Sequence, residues 1–174
     1  MDILNNILDR THNYLILVEA RNTGLIALNL GLVSFYYSSS THLKIIVLML
    51  CLLSTLILSI SFINFNFKYE NETKLNDNTT NPVDNEINIY NIRDIIKLSP
   101  KEYLNLVSNK MEAKGDKLIN FIKKDYRFSE ASKDLSEEII ITAKMCRFRE
   151  KIFFIGLYLF IANIIILIID NIIL

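Results

Sequence analysis

Residues 22–43 read NTGLIALNLGLVSFYYSSSTHL, residues 45–67 read IIVLMLCLLSTLILSISFINFNF, and residues 152–169 read IFFIGLYLFIANIIILII; none of the three contains Asp, Glu, Lys or Arg. A helix needs roughly 20 largely apolar residues to cross a hydrocarbon core of about 30 Å, because every backbone amide there must be satisfied inside the helix. All three stretches are long enough, the third only just. The expected fold is an all-α membrane protein, with a two-helix transmembrane hairpin over 22–67 and a third transmembrane helix within 152–174. Membrane lipid is the first partner implied.

The charged residues suggest an orientation. Of the nineteen Lys and Arg, only Lys44 falls between the first two stretches and none follows the third. Lys144, Arg147, Arg149 and Lys151 crowd the entry to the last one. Lys and Arg near membrane ends favour the cytoplasmic side, so the N-terminus and residues 68–151 are expected in the cytoplasm and the C-terminus outside. The formal net charge of +0 and the pI of about 6.7 average over two environments and give no case for a nucleic-acid partner. The polar stretch from Lys68 to Glu150 is at a size where one core supplies only a few kcal/mol, so it is expected to lean on the spans or on neighbouring subunits rather than form a large catalytic domain. Cys51 within the second span and Cys146 before the third are expected to stay reduced.

Residues 1–21 do not read as a signal peptide. Asp2, Asp9 and Glu19 oppose Arg10 and Arg21, and no small-residue cleavage pattern follows. Ile3, Leu4, Ile7, Leu8, Leu15 and Val18 recur at helical spacing, with Asn5, Asn6, Asp9, Arg10 and Asn13 between them. This predicts an amphipathic helix that either lies in the membrane interface or packs on the cytoplasmic part.

Within the first span, Gly24, Ala27, Gly31, Ser34 and Ser38 follow alternating steps of three and four, which puts them on one stripe. Small residues let a second backbone approach closely, either the second span of the same chain or a helix of another copy in a homo-oligomer. Asn29 in the same span and Asn163 in the third each need a hydrogen-bond partner, expected on a neighbouring helix, with pairing of the two asparagines a further option.

Past the second span, residues 68–98 begin as a polar linker, Glu70 to Glu86, with Pro82 and few large apolar residues. Order is expected to resume at Ile87. Residues 99–151 form a helical region opened by Ser99-Pro100-Lys101-Glu102, where Ser99 caps the free amides, Pro100 suits the first turn and Glu102 completes a capping box. Leu104, Val107, Met111, Leu118 and Ile122 follow at helical spacing, with Gly115 a weak point. A second helix starts near Ser136 and runs through Ile139, Ala143 and Cys146 into the last span without a breaker.

Catalytic chemistry is not expected. His12 and His42 fall on opposite sides of the membrane, so no metal pair forms, and no Gly-rich phosphate loop, Cys cluster or nucleophile motif is present.

Glu19-Ala20-Arg21-Asn22 entering an apolar helix with Leu25, Ala27, Leu28 and Asn29 resembles the acidic-Ala-basic entry to the first span of the Pycsar transmembrane effectors, the PycTM family. The resemblance continues in Leu98-Ser99-Pro100-Lys101-Glu102-Tyr103-Leu104 and in the helix from Ile139 to Phe160, with its basic residues around Arg149. Glu19 and Arg21 stand where Asp and Lys are more usual in that family. The resemblance implies a role in bacterial antiphage defence, in which a partner cyclase makes cyclic CMP or cyclic UMP and the effector responds by impairing the inner membrane. The activating ligand would then be a cyclic pyrimidine nucleotide, with no other cofactor. A cyclic monophosphate needs a cation for its phosphate and a flat partner for its base. Arg21, Asn22, Arg147 and Arg149 are the candidates for the first and Tyr103 or Tyr126 for the second. Against this stand juxtamembrane anchoring by the arginines and a structural pair of Glu19 with Arg21 or Arg149. A ligand-independent holin-like toxin and a membrane scaffold subunit are the alternative functions.

Overall fold

The computed structural model describes residues 2–38, 43–63, 87–113 and 129–173, and every regular element among them is helical. The elements are α1 (Asp2–Ser38), α2 (Lys44–Ile60), α3 (Ile92–Ile95), α4 (Pro100–Ala113) and α5 (Glu130–Ile173). Among the described residues two helices are long and apolar enough to cross a membrane, Ile3–Tyr37 and Glu130–Asp170, while Lys44–Ile60 is a shorter apolar helix. The whole linker from Glu70 to Glu86 lies outside the described residues, as do His42, Gly115, Leu118, Ile122 and Tyr126.

The chain divides into two compact units, Met1–Asn13 with Asn66–Cys146, and Tyr14–Phe65 with Arg147–Leu174. These limits fall earlier on both long helices than the expected divisions at residues 21 and 151.

The first unit is built around an apolar core. Leu4 and Ile7 at the start of α1 pack with Ile89, Ile95, Tyr103, Leu104, Leu106, Val107, Ile139, Ile140 and Ala143. The amphipathic start of α1 therefore packs on protein. The start of α4 follows the sequence closely: the Ser99 amide donates to Glu102 Oε2 at 2.8 Å and the Glu102 amide donates to Ser99 Oγ at 3.2 Å. Together they satisfy two of the amides that a helix start leaves unpaired. Before it, Asn91 caps the single turn of α3 by accepting from the Arg93 amide at 3.0 Å. The long helix α5 starts at Glu130 instead of near Ser136. Ser129 supplies the cap, its hydroxyl accepting from the Ser132 amide at 3.2 Å, and Ser136 lies one and a half turns inside, bonded back to the Lys133 carbonyl.

The second unit packs α1, α2 and α5 side by side. One cluster joins Leu25, Leu58 and Ile152, and another joins Tyr36, Val47 and Cys51. The second expected span is shorter than 45–67, because α2 ends at Ile60. The amides of Ser61, Phe62 and Ile63 each donate three residues back, to Leu58, Ser59 and Ile60, and the Ser61 hydroxyl also donates to the Leu58 carbonyl at 2.6 Å. That tightened turn closes the helix at 17 residues, about 25 Å of rise, at the lower limit for a crossing.

Candidate functional site

In the second unit the usual distribution of polarity is reversed. Among the described residues, every exposed large apolar side chain except Tyr90 belongs to it, including Leu28, Phe35, Ile45, Met49, Leu56 and Ile165. Its interior instead holds Asn22, Asn29, Ser54, Ser61, Arg149, Asn163 and Asp170. Among its described residues, the polar side chains that the first unit buries are the hydroxyls of Thr11, Ser136 and Thr142. A water-facing surface tolerates scattered apolar side chains, but a surface made of them with amides beneath has the polarity of a helix bundle in lipid.

The buried polar side chains join the three helices. Asn29 Nδ2 donates to Ser54 Oγ at 3.0 Å and to the carbonyl of Leu25 at 3.1 Å, and Ser54 Oγ donates to the Gly156 carbonyl at 3.2 Å. One amide and one hydroxyl thus tie α1 to α2 and α2 to α5. Two turns further along α5, Asn163 Nδ2 donates to Cys51 Sγ at 3.4 Å. Each asparagine has a partner on a neighbouring helix, as expected, and they do not pair with each other. Gly156 permits the contact with α2, since a β-carbon there would stand 2.7 Å from Leu58 Cδ2.

The small-residue stripe lies elsewhere. Gly24, Ala27, Gly31 and Ser34 are exposed, and a β-carbon on Gly24 or Gly31 would meet nothing within 4 Å. The face that packs within the chain carries Asn22, Leu25, Asn29 and Tyr36. Each of these sits two residues before a stripe position, which is about 200° around the helix. Packing of the stripe against the second span of the same chain is thereby corrected: the hydrogen-bonding and bulky positions, and not the small ones, make the internal seam. Among the described glycines the one that accepts a close neighbour is Gly156, which sequence reading passed over because it stands alone.

The expected ligand residues separate in the same way. Arg21 is exposed. Arg147 is half-buried, its Nη1 donating to Glu150 Oε2 at 2.6 Å in the next turn. Arg149 is only 4% exposed and forms an ion pair with Glu19, whose side chain is 37% exposed, so of the structural pairs expected for Glu19 the one with Arg149 forms. Asn22 is fully buried, and neither atom of its amide has a hydrogen-bond partner among the described residues. Those four belong to the second unit and Tyr103 to the first. Tyr103 is closed off in the apolar core, where its hydroxyl donates to the Ile89 carbonyl at 3.0 Å. Burial, and secondarily Tyr90, pushes its phenol well above its ordinary range. A fully buried ring cannot stack on a base, so that role is corrected. Its place at helical spacing with Leu106 and Val107, both buried, marks it as a core residue.

Cys51 and Cys146 are both free and buried. Among the described residues no group of His, Cys, Asp and Glu is placed to hold a metal ion. Comparison with protein-family models, with characterised proteins and with solved structures returns no match.

Proposed function

We propose that the chain is a membrane effector of a Pycsar-like antiphage system, inserted in the bacterial inner membrane and switched by a cyclic pyrimidine nucleotide from a partner cyclase to impair that membrane. The observation that carries the membrane part is the reversed polarity of the second unit, with apolar side chains outside and amides within. In this reading α1, α2 and the last part of α5 cross the bilayer, with residues 1–21 and 68–151 cytoplasmic and the C-terminus outside. The distribution of Lys and Arg supports that orientation.

The nucleotide part rests on the sequence resemblance, and the Glu19–Arg149 pair suggests how a ligand would act. Arg149 is the buried partner and Glu19 the accessible one. A cyclic phosphate arriving from solvent would displace the carboxylate and take over the guanidinium, exchanging one anionic partner for another without leaving the cation bare. Arg21, exposed two residues from Glu19, adds attraction for the incoming anion.

The test is calorimetry and vesicle leakage on the same detergent-purified chain. Binding of cyclic CMP or cyclic UMP, with dye release from vesicles only when it is present, is the expected result. Absence of binding to any cyclic mononucleotide at millimolar concentration removes nucleotide gating. Release without nucleotide then identifies a holin-like toxin, and no release under any condition a scaffold.

A further inference from the structure

We propose that the unit formed by α1, α2 and α5 is matched to a bilayer of short acyl chains, and that in a membrane of ordinary thickness it draws the two leaflets together around itself. The inference rests on the membrane placement given above but on no ligand. Its ground is that three separate helices agree on one short apolar length.

On α1 no charged residue lies between Arg21, which is exposed, and Tyr37, a rise of about 24 Å. From Lys44 to Ile60, α2 rises about 25 Å. On α5 the exposed Lys151 and the carboxylate of Asp170 bracket about 28 Å. The hydrocarbon core of a typical bilayer is about 30 Å thick. Tilting a helix only shortens its reach across that core, so tilt widens the gap.

Side chains at the two ends do little to close it. Lys44 Nζ donates to the Tyr37 carbonyl at 2.6 Å and lies 5.3 Å from the centroid of the Tyr37 ring. The ammonium is thereby committed to the last turn of α1, which sets the ends of both helices at one polar level. At the other end Lys151 has a stem long enough to reach outward, but Tyr158 opposes this. It is 70% exposed two turns further along α5, and helical side chains lean toward the helix N-terminus. Its hydroxyl therefore leans back toward the Lys151 level, and a phenol is favoured at the headgroups. Stretching the lipid to leave Tyr158 deeper in hydrocarbon works against that preference.

Between the ends the outward surface is apolar, with Leu28, Phe35, Met49, Leu56, Ile161 and Ile168 all exposed. Drawing charged ends into hydrocarbon is less favourable than compressing fluid acyl chains, so the bilayer yields. Copies that share one thinned ring disturb less lipid than copies held apart, and this draws them together. A membrane thinned where copies gather is the form of impairment that this geometry favours.

The experiment places the full chain in phosphatidylcholine bilayers whose monounsaturated acyl chains run from about 14 to about 22 carbons. X-ray scattering measures bilayer thickness with and without the protein. Energy transfer measures gathering, between copies labelled at a cysteine replacing the exposed Lys97 with Cys51 and Cys146 changed to serine. The expected result is thinning by about 2–4 Å in the longest chains and none in the shortest, with energy transfer at least about twofold higher in the longest. The thermal unfolding midpoint should be highest in the short-chain bilayers. Lys44→Leu combined with Lys151→Leu lengthens the apolar surface at both ends and should move that optimum to longer chains. A folded double variant with an unmoved optimum overturns the matching. So does a parent chain whose bilayer thickness and midpoint are indifferent to chain length, or whose midpoint is highest in the longest chains, whether or not the variant folds. A chain that fails to float with the vesicles overturns the membrane placement and the matching together, whereas these other outcomes overturn the matching alone.

Discussion

Gly156 on α5 faces Leu58 on α2 so closely that a β-carbon would stand 2.7 Å from Leu58 Cδ2 and 2.8 Å from its Cγ. Leu58 is fully buried in the cluster with Leu25 and Ile152, and therefore has little room to rotate away. The Gly156 carbonyl also accepts the Ser54 hydroxyl, so this one residue both admits the leucine and anchors the hydrogen bond beside it.

Gly156→Ala is accordingly expected to destabilise the chain by about 1–3 kcal/mol, as overpacking does in other tight interiors. Gly31→Ala, which meets open space, should be neutral or stabilise by up to about 1 kcal/mol through helix propensity. Thermal unfolding in one detergent compares the two. Equal stability of Gly156→Ala and the parent would show that α2 and α5 do not approach as described. Gly31→Leu should leave unfolding unchanged, and a change in oligomeric state with that substitution would locate a seam between copies on the outward stripe.

Removal of Glu19 should cost more than removal of the pair. Glu19→Gln leaves the guanidinium of Arg149 buried without its counter-charge, a loss of about 1–3 kcal/mol for an unsatisfied group. Glu19→Gln combined with Arg149→Met should recover much of that, because an apolar chain of similar length avoids the burial of charge altogether. A double-mutant cycle on unfolding free energy measures the coupling, and additivity of the two single changes would mean that the pair contributes nothing.

The first unit should lose stability in alkali through Tyr103. Its phenol titrates above the ordinary value of 10.0 when folded, because of burial and then Tyr90. Below pH 10.0 both states hold the proton and the full contribution is present. Above that value only the unfolded chain releases it, so stability falls as pH rises, by at most about 1.4 kcal/mol per pH unit from this group. Tyr103→Phe should be less stable near neutrality by about 1–3 kcal/mol, because the buried Ile89 carbonyl loses its donor, yet should decline less steeply in alkali. Denaturant midpoints for both forms, from about pH 8 to about pH 11, test this. Parallel curves would refute it.

The proposed orientation is open to thiol labelling. With Cys51 and Cys146 replaced by serine, a cysteine at Lys97 should react in intact cells only with a membrane-permeant reagent, and one at Lys44 should react with permeant and impermeant reagents alike. The opposite pattern would reverse the orientation.

Much of the helical plan was legible in the sequence. Charge-free stretches gave the apolar parts of α1, α2 and α5, Ser99 and Glu102 gave the start of α4, and the spacing of Leu4 and Ile7 gave the buried side of α1. The errors share a cause. Gly24, Ala27 and Gly31 have the pattern of a close-packed face, but a repeat of small residues reports only that approach is possible there. Two residues earlier at each step, Asn22, Leu25 and Asn29 have the same repeat, and the choice between the two faces depends on what α2 and α5 present, which periodicity along one helix does not contain. Ser136 and Ser129 pose a similar problem on α5, since both precede helical residues and only the outer one is at an end. The pairing of Arg149 with Glu19 was one of two possibilities in the sequence, and the long-range fold chose between them.

The link from Asn29 to Ser54 to Gly156 also bears on how such a chain would be built at a ribosome. Asn29 is made first, its partner Ser54 follows shortly on the next helix, and the Gly156 carbonyl that receives the Ser54 hydroxyl comes 102 residues after that. If α1 entered lipid alone it would carry its amides unshielded, whereas α1 and α2 entering together present an amide already matched by a hydroxyl. Paired entry is therefore expected, and nascent chains stalled before α5 should already form a disulfide between cysteines placed at Leu25 and Leu58, a substitution that leaves the Asn29–Ser54 pair in place. The hydroxyl would then wait for α5, so biogenesis would have an ordered last step at which the partly assembled hairpin gains its third helix.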